Sequence, residues 1–371
     1  MPHKLDTITI HGFKSIRSLE SFPLGDVNLL IGANGAGKSN FVGFFRFLRD
    51  LVRADLQYTV ALAGGSDVFL HRGAKVTPRI DARVDFGSNA YAFELIPTAD
   101  ARLIFADERA IYDGSRSEDH YPTNRPLGRG HSESRLSEVA AEKGPYSVEG
   151  YCDAPISDWV VYHFHDTSEL APLRRPHTEV DASRLSDDGA NLGPMLLSLS
   201  ERDPAVYRSI VETIRLVAPF IEKFDFERIG GPGREMIRLV WHQRHSIGRF
   251  DVSQLSDGTL RFIALAVALL QPNPPATILI DEPELGLHPY ALEIFAELVR
   301  SSRSSIQTII ATQSPALLDT FDPEDVVVVD REAGASRFRR LDPEDLAGWL
   351  RGYTLGELWR KDVLGGARQH E

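Results

Sequence analysis

Cysteine is almost absent from this sequence of 371 residues, which contains only Cys152. A single cysteine cannot form an intramolecular disulfide or supply a zinc site built from several thiolates. Long apolar runs are missing as well, because the longest, Phe262 to Leu270, is much shorter than the roughly 20 residues of a membrane-spanning helix. The first residues, MPHKLDTITI, also lack the pattern of a secretory signal peptide. We therefore expect a cytoplasmic protein with no membrane partner.

The chain also lacks an excess of positive charge. It has 41 Lys and Arg against 53 Asp and Glu, and its formal net charge is −12. The surface as a whole is therefore not built to attract nucleic acid, although a local basic patch is still allowed. Hydrophobic residues make up 42% and charged residues 25%, which is typical of a globular protein with one large domain or two.

Alternating strand and helix patterns are present in both parts of the chain. The N-terminal part predicts a first strand around Ile8 and Ile10, a buried strand at 27–32, a helix at 39–52, and an antiparallel layer with strands at 79–87 and 91–97. The last third predicts a helix at 256–270, a strand at 276–283, a helix at 289–302, and strands at 307–312 and 325–330. Strands that alternate with helices indicate an α/β fold with parallel pairing.

A glycine-rich loop, GANGAGKS, lies between the second strand and the helix that follows it. It matches the phosphate-loop pattern G-x-x-x-x-G-K-S, and its strand–loop–helix setting is the one that this motif requires. Gly35 and Gly37 let backbone N–H groups turn towards a phosphate, and the helix N-terminus adds partial positive charge. A glycine-rich turn that binds nothing is the alternative. We predict an ATP site formed by Gly32, Asn34, Gly35, Ala36, Gly37, Lys38 and Ser39.

Two acidic residues end a later buried strand, in the sequence TILIDEPELGLHP. Ligands bind at the carboxyl ends of the strands in an open parallel sheet, so Asp281 and Glu282 are candidates for the same site. We predict that Ser39 and Asp281 hold Mg²⁺ and that the catalytic Glu282 polarises or orients the attacking water. A solvated turn is the alternative, and the complete phosphate loop argues against it.

The segment LSDGT, residues 255–259, opens the long apolar helix that precedes the acidic strand. With the phosphate loop and the acidic strand, it resembles the signature of ABC-type ATPases, a Leu-Ser-Gly-Gly-Gln-like turn that binds ATP held by a second subunit. The resemblance implies that Ser256 and Gly258 contact nucleotide across an ATP-dependent head-to-head homodimer. Asp257 stands where the family has a glycine, and a carboxylate there would repel phosphate, so we expect it to cap the helix. The alternative is that the whole turn is only a cap.

A similar segment, LSDDG at residues 185–189, is a rival for the signature. It has one more residue before its glycine and lies far from Asp281 in the sequence. Pro194 is expected to break the helix that would follow. We therefore interpret 185–189 as a helix cap.

The strand QTIIAT and its continuation resemble the switch strand of the same family, in which a histidine usually senses the terminal phosphate. Gln313 occupies that place here. Glutamine can hydrogen-bond to phosphate or water but cannot carry a positive charge. We predict a catalytic role for Gln313 and a turnover slower than that of a transporter. LGLHP, residues 285–289, resembles the loop that crosses the dimer interface.

Almost the whole chain resembles the RecF, OLD and SMC-like branch of these ATPases, and within it the bacterial AAA-type proteins with an inserted lobe instead of a coiled coil. The features that carry this resemblance are GFKSI, WVVYHFHDTSE, DDGANL, LSDGTLRF and YTLGELW. The expected fold is a P-loop ATPase head with a mixed β-sheet and an inserted α+β or helical lobe. The expected parts are residues 1–97 and 235–345 for the head, 98–234 for the lobe with a mobile loop at about 113–145, and 346–371 for a tail.

The resemblance implies an ATP-dependent dimerising switch in DNA metabolism or phage defence, with DNA and a partner effector as possible partners. About forty residues follow Asp330, too few for an OLD-type nuclease domain, so no built-in nuclease is expected. The alternatives are the ATPase subunit of a membrane transporter, which the large lobe and the absence of an obvious Gln-loop disfavour, and a clamp that binds ATP but barely hydrolyses it.

Two further groups of residues raise questions that the sequence leaves open. His163 and His165 would share one face of a strand beside Asp166, which allows a metal site, but packed or hydrogen-bonded histidines are the simpler interpretation. Arg125, Arg129 and Arg135 could contact DNA from the expected mobile loop, although a solvated loop is the simpler interpretation there as well.

Overall fold

The computed structural model describes residues 4–114, 123–178, 182–231 and 235–366. Its strands, in chain order, are β1 (Thr7–Phe13), β2 (Ile16–Pro23), β3 (Val27–Ile31), β4 (Ile80–Phe86), β5 (Asn89–Pro97), β6 (Leu103–Tyr112), β7 (Thr123–Gly128), β8 (Val160–Tyr162), β9 (His177–Thr178), β10 (Ile221–Ile229), β11 (Met236–Gln243), β12 (Arg249–Asp251), β13 (Thr277–Asp281), β14 (Gln307–Thr312), β15 (Val326–Glu332) and β16 (Ala335–Arg340).

The α-helices of the same ranges are α1 (Lys38–Val52), α2 (Leu56–Leu62), α3 (Leu136–Lys143), α4 (Val148–Asp158), α5 (Leu192–Arg202), α6 (Pro204–Val217), α7 (Asp257–Leu270), α8 (Pro289–Ser302), α9 (Pro315–Leu318), α10 (Pro343–Leu346) and α11 (Leu355–Arg360). Within the part of the chain that the structure describes, no helix is long and apolar enough to cross a membrane.

The central sheet positions the candidate site. Its strand order is β16-β15-β3-β14-β13-β8, and all neighbours pair in parallel except β15 and β16, which are antiparallel. The phosphate-loop strand β3 is therefore separated from the acidic strand β13 by the switch strand β14 alone. The predicted α/β fold with a mixed sheet is confirmed.

Both faces of this sheet are covered, because successive side chains of its strands enter different cores. Leu29 and Ile31 of β3 pack into the core that contains α7 and α8, whereas Leu30 packs into the core that contains α1. A sheet buried on both faces needs mainly apolar strands. The five residues of β3 are all buried, and its one polar residue, Asn28, donates from its side chain to the Gly25 carbonyl. The central strands therefore form a rigid support for the loops at their carboxyl ends.

Two antiparallel sheets flank the central one. The larger has the order β2-β1-β4-β5-β6-β7, and the smaller joins β10, β11 and β12, with β9 paired to β11. The larger sheet packs on the phosphate-loop helix, where the ring of Phe13 lies 5.2 Å from that of Phe44 and 5.3 Å from that of Phe47. The antiparallel layer expected from 79–87 and 91–97 is thus β4 and β5 of a wider sheet.

The described strands of residues 98–234 are divided among all three sheets. Strands β6 and β7 extend the larger antiparallel sheet, β8 is an edge strand of the central sheet, and β9 and β10 belong to the smaller sheet. The predicted lobe is therefore continuous with the head around it, and its boundaries remain a prediction.

The expected mobile loop at 113–145 differs from the structure, because its described part contains β7 and α3. The reason is a buried carboxylate. Glu108, fully buried, accepts hydrogen bonds from Tyr91 Oη at 2.7 Å and Ser134 Oγ at 2.6 Å, and His131 Nε2 lies 2.7 Å from it. Polar residues that suggested a solvated loop are partners of this buried charge. Residues 115–122 of the expected loop lie outside the described residues.

The three arginines of that segment contact the protein itself. Arg129 pairs with Asp107 at 3.0 Å, Arg125 lies 3.7 Å from Glu149, and Arg135 donates to the carbonyl of Leu127 at 3.4 Å. A role in DNA contact stays a prediction that these internal contacts do not favour.

The cap expected at LSDDG is wrong in detail. Helix α5 begins later, at Leu192 after Asn191, and Pro194 lies in its first turn, where proline is tolerated, so the helix is not broken. The segment instead forms a turn in which Asp188 accepts hydrogen bonds from Ser186 Oγ and the Ala190 N–H, both at 2.9 Å. Residues 185–189 therefore form a turn that is stabilised by hydrogen bonds to the side chain of Asp188.

Candidate nucleotide-binding site

The phosphate loop connects β3, which ends at Ile31, to α1, which begins at Lys38. Gly35 and Gly37 have φ values of 77° and 117°, a backbone region that favours glycine. A Cβ atom on Gly37 would overlap Ser336 Oγ, and one on Gly32 would overlap the carbonyl oxygen of Val329. Both positions require glycine, so the backbone is held in the turned-in form that the motif predicts.

Lys38 is 4% exposed, and its Nζ donates to the carbonyl oxygens of Gly32 at 2.7 Å and Ala33 at 3.1 Å. Burial lowers its pKa, and the charges of Glu282, Asp281 and Glu284, in that order, oppose the shift. The Lys38 ammonium group therefore lies in the electrostatic field of the acidic residues at the end of β13. Asn34, Gly35 and Ser39 of the same loop are exposed, whereas Ala36 is buried.

Asp281 is the last residue of β13 and is half-buried. Burial raises its pKa, while the charge of His165 and a hydrogen bond from the Ser39 side chain lower it. One carboxylate oxygen, Oδ1, is buried and has no hydrogen-bond partner. A buried carboxylate oxygen without a partner beside a serine hydroxyl is the donor set that a hard cation such as Mg²⁺ prefers. The residues present therefore fit the predicted cation.

Glu282 follows in a backbone conformation that is rare for a side chain with a Cβ, with φ 44°. Its N–H donates to the carbonyl of Ala311 at 2.7 Å, and its Oε1 accepts a 2.6 Å hydrogen bond from Gln313 Nε2. The predicted base and the predicted switch residue are thus in direct contact. Strained backbone that is held by defined bonds is a common feature of functional sites.

Sequence reasoning missed Glu284. Its Oε1 accepts from Thr312 Oγ1 at 2.6 Å and from the Gln313 N–H at 3.0 Å, and its Oε2 is buried without a partner. Glu284 therefore fixes the end of the switch strand against the acidic strand. Glu284 is the third acidic residue of the sequence DEPE, and this cluster of acids was the signal that could have identified it.

The turn before α7 has the form of a helix cap. Ser256 is the N-cap, its Oγ accepts from the Thr259 N–H at 3.2 Å, and Asp257 begins the helix. Ser256 and Asp257 are exposed. A Cβ on Gly258 would overlap the carbonyl oxygen of Gly286, so this glycine is needed for contact with the loop after β13. Whether Ser256 and Gly258 contact a nucleotide stays a prediction.

The outer side of the phosphate loop is supported by the β15–β16 hairpin, which sequence reasoning also missed. Ser336 Oγ donates to the Ala36 carbonyl at 2.6 Å, and Arg331 Nη1 donates to the Gly35 carbonyl at 3.2 Å. About 300 residues separate these partners in the chain, and no local sequence pattern indicates such a pairing.

The histidine pair lies at the edge of the site, after the end of β8 at Tyr162 and not on a strand as expected. Their rings are 6.2 Å apart, and within the described ranges no group of three or more metal-ligating side chains is found. Burial and the charge of Arg46 lower the pKa of His163 to about 4. Asp166 accepts from the Ser168 N–H at 2.9 Å. This pair therefore borders Asp281 without forming a metal centre of its own.

Comparison with known proteins places these observations in a family. Residues 27–319, well over half of the chain, match the family described as AAA domain, putative AbiEii toxin, Type IV TA system. The solved structure of an SMC head bound to the C-winged helix domain of ScpA is similar, with 15% identity over 92% of this chain and 99% of that chain, and a TM-score of 0.61.

Two SMC heads from Pyrococcus species are similar as well. The one from Pyrococcus furiosus, with an extended coiled coil and bound to the C-terminal domain of ScpA, has 16% identity over 95% of this chain and 99% of its own, with a TM-score of 0.56. The one from Pyrococcus yayanosii has 13% identity over the same shares and a TM-score of 0.52. At these identities the likeness shows the fold alone.

Proposed function

Because the chain belongs to the family described as AAA domain, putative AbiEii toxin, Type IV TA system, and has the fold of an SMC-like P-loop ATPase head, we propose that it hydrolyses ATP and acts as an ATP-dependent dimerising switch. The observation that carries the proposal is the contact between the two candidate catalytic residues. Gln313 Nε2 donates to Glu282 Oε1, at the strand edge whose charges act on Lys38 of the phosphate loop. Lys38, Glu282 and Gln313 lie in three separate parts of the sequence, and the fold brings them together.

The residues of the loop have distinct roles in this proposal. The N–H groups around Gly35 and Gly37 and the start of α1 bind the phosphates of ATP, together with Asn34, Ala36 and the backbone of Gly32. Lys38, which now bonds to two carbonyl groups of its own loop, turns its ammonium group to the terminal phosphates. Mg²⁺, when bound by Ser39 and Asp281, supplies positive charge that offsets the charge of the phosphate oxygens.

Glu282 is the general base in this reaction. It accepts a proton from the attacking water as the water oxygen bonds to the terminal phosphorus, and ADP leaves. Gln313 holds the Glu282 carboxylate in place through its amide and can bond to the same water. Because Gln313 is neutral, it adds no positive charge to the transition state, which favours slow turnover.

Dimerisation follows from the exposed turn at Ser256. Ser256 and Asp257 are exposed at the start of α7, which supports a turn that meets the site of another molecule. In the dimer, Ser256 and the Gly258 N–H of each head bind the ATP of the other. Glu282→Gln is expected to give a dimer that forms only with ATP. A dimer indifferent to nucleotide, or a Ser256→Arg variant that still dimerises with ATP, would contradict this.

Phosphate release separates an enzyme from a clamp that merely binds ATP. We expect Lys38→Ala to remove nearly all ATPase activity of the wild type, and equal rates for the two proteins would reject the enzyme. A membrane transporter subunit is the other alternative, and co-purification with a permease would favour it.

The biological setting we propose is DNA metabolism or phage defence, with a partner effector. It is supported by the likeness to SMC heads, two of which were solved bound to a domain of ScpA, and by the resemblance of the motifs. Residues 98–234 would pass the ATP state on to DNA or the partner. The test is the ATPase rate with and without double-stranded DNA at two salt concentrations, because binding to phosphates weakens as salt rises. Equal rates would exclude DNA as an activator.

A further inference from the structure

We infer that Arg174 is a positioning residue. Its ion pair with Asp257 connects the turn at 255–259 to the loop that begins beside Asp281 in the same head. This inference deepens the proposed dimerising switch and rests on it for its functional consequence. Arg174 lies in the segment that follows β8, more than 80 residues from its partner along the chain.

The Arg174 side chain is 6% exposed, and its hydrogen bonds join two segments. On one side, Nε donates to the Thr167 carbonyl at 2.8 Å. On the other, Nη1 donates to the carbonyls of Ser253 at 2.6 Å and Leu255 at 3.1 Å, and Nη2 donates to Asp257 Oδ1 at 2.5 Å. The rigid guanidinium plane fixes the geometry between all these partners.

A second arginine makes a parallel connection. Arg261, one turn after Asp257 on α7 and 5% exposed, donates from Nε to the Phe164 carbonyl at 2.8 Å and from Nη2 to the His165 carbonyl at 3.3 Å. Arg174 and Arg261 therefore hold the loop 163–174 to the start of α7. The loop carbonyls of Phe164 and His165 accept from Arg261, and Arg174 of the loop donates to Ser253, Leu255 and Asp257. This loop begins where β8 pairs with β13, beside Asp281.

These contacts also explain why an aspartate is tolerated in the turn. The carboxylate of Asp257 is directed to a buried cation of its own head, so its charge is balanced there and is not presented alone to phosphate. Gly258 meanwhile contacts Gly286 in the loop that follows Glu282. The turn is thus held from two sides by loops that leave β8 and β13, the strands that border the cation site. A change in those loops on ATP binding would move the turn with them.

The test compares Asp257→Ala, Arg174→Lys and the double variant with the parent protein. Asp257 is the safer probe, because its side chain is 60% exposed and its loss opens no large cavity. Hydrogen exchange is measured on peptides that cover 163–170 and 253–260, with the phosphate-loop peptide as an internal reference. We expect Asp257→Ala to raise exchange in both segments, leave the phosphate loop unchanged, and add little when combined with Arg174→Lys.

The functional readout is the dimerisation constant with ATP in a Glu282→Gln background, beside the ATP affinity of the monomer. We expect Asp257→Ala to weaken dimerisation about tenfold and leave monomer ATP affinity unchanged. Asp257→Glu, which keeps the charge, should restore most of it. Unchanged exchange in both segments, or additive effects of the two single variants, would overturn the role of Arg174. Coupled exchange in a protein that never dimerises would retain that role and reject the dimerising switch.

Discussion

The side-chain amide of Gln313 donates a 2.6 Å hydrogen bond to the carboxylate of Glu282. Glu282 holds an unfavourable backbone conformation, and Gln313 is fixed in turn by its own N–H, which donates to Glu284 Oε1 at 3.0 Å. The switch strand therefore sets the orientation of the proposed base. Gln313, which follows β14, orients Glu282, which follows the neighbouring strand β13, through a single hydrogen bond.

Removing this bond should slow the chemical step more than it weakens binding. We expect Gln313→Ala to lower kcat by about tenfold to a hundredfold with little change in KM, because a misplaced base costs rate and Gln313 bonds to Glu282 and Glu284. Gln313→His, which keeps a donor, should lose less. Steady-state phosphate release measures both constants.

Gln243→Ala, at an exposed glutamine at the end of β11, is the matched control and should behave as wild type. A Gln313→Ala enzyme with normal kcat would show that Glu282 does not need this hydrogen bond.

The phosphate loop offers a test with a matched pair of glycines near the start of α1. Gly37→Ala should abolish detectable ATP binding, because the new Cβ meets Ser336 Oγ and the φ of 117° is strained for alanine. Gly43→Ala, six residues later on the same helix, places its Cβ in open space and should stabilise the protein by about 0.5–1 kcal/mol. Calorimetric ATP titration and urea unfolding distinguish the two.

If Gly43→Ala also abolished ATP binding, the loss in Gly37→Ala would reflect a general intolerance of α1 to substitution. Normal binding by Gly37→Ala would instead show that the loop rearranges when ATP arrives.

Much of the candidate site could be predicted from sequence, because the relevant residues are next to each other in short segments. The bounds of α8 and β14 agree with the helix and strand expected there, since helical periodicity and continuous apolar runs reflect local burial. The phosphate loop belongs to this class, since one short peptide contains the glycines, the lysine and the helix start.

What could not be predicted depends on contacts between distant segments. Arg331 donates a hydrogen bond to the Gly35 carbonyl, and Arg174 donates one to the Asp257 carboxylate. No rule of sequence spacing predicts either pair. The same cause explains why β7 and α3 lie in the described part of 113–145, where a mobile loop was expected. Ser134 belongs to a polar segment that looks solvated in the sequence. In the structure its hydroxyl donates to the buried carboxylate of Glu108 on β6.

The contact between Gly258 and Gly286 predicts a variant that separates binding from dimerisation. Gly258→Ala would overlap the Gly286 carbonyl oxygen and push the turn away from the loop after β13. We expect ATP binding by the monomer to be kept and ATP-dependent dimerisation, measured by sedimentation, to fall at least about tenfold. Gly348→Ala, whose Cβ meets open space, is the control. Loss of monomer binding in Gly258→Ala would place this turn at its own head's nucleotide.

The pKa of His163 predicts a pH dependence of stability. Burial, then the charge of Arg46, lowers this pKa from 6.5 to about 4, against the opposing charge of Asp187. As pH falls, the unfolded chain takes up the proton first, so the folded state loses stability between about pH 6.5 and pH 4 and keeps all of it above that window. Solvent reaches part of the ring, so we expect a loss of about 1 kcal/mol, below the full value for the shift.

Urea unfolding at pH 4, 5, 6 and 7 in the presence of a chelator measures this loss. The free energy of unfolding of His163→Gln should fall less steeply with decreasing pH than that of wild type. His245→Gln, at an exposed histidine between β11 and β12, should follow wild type. Equal slopes for all three proteins would mean that His163 accepts its proton as readily in the folded chain as in the unfolded one.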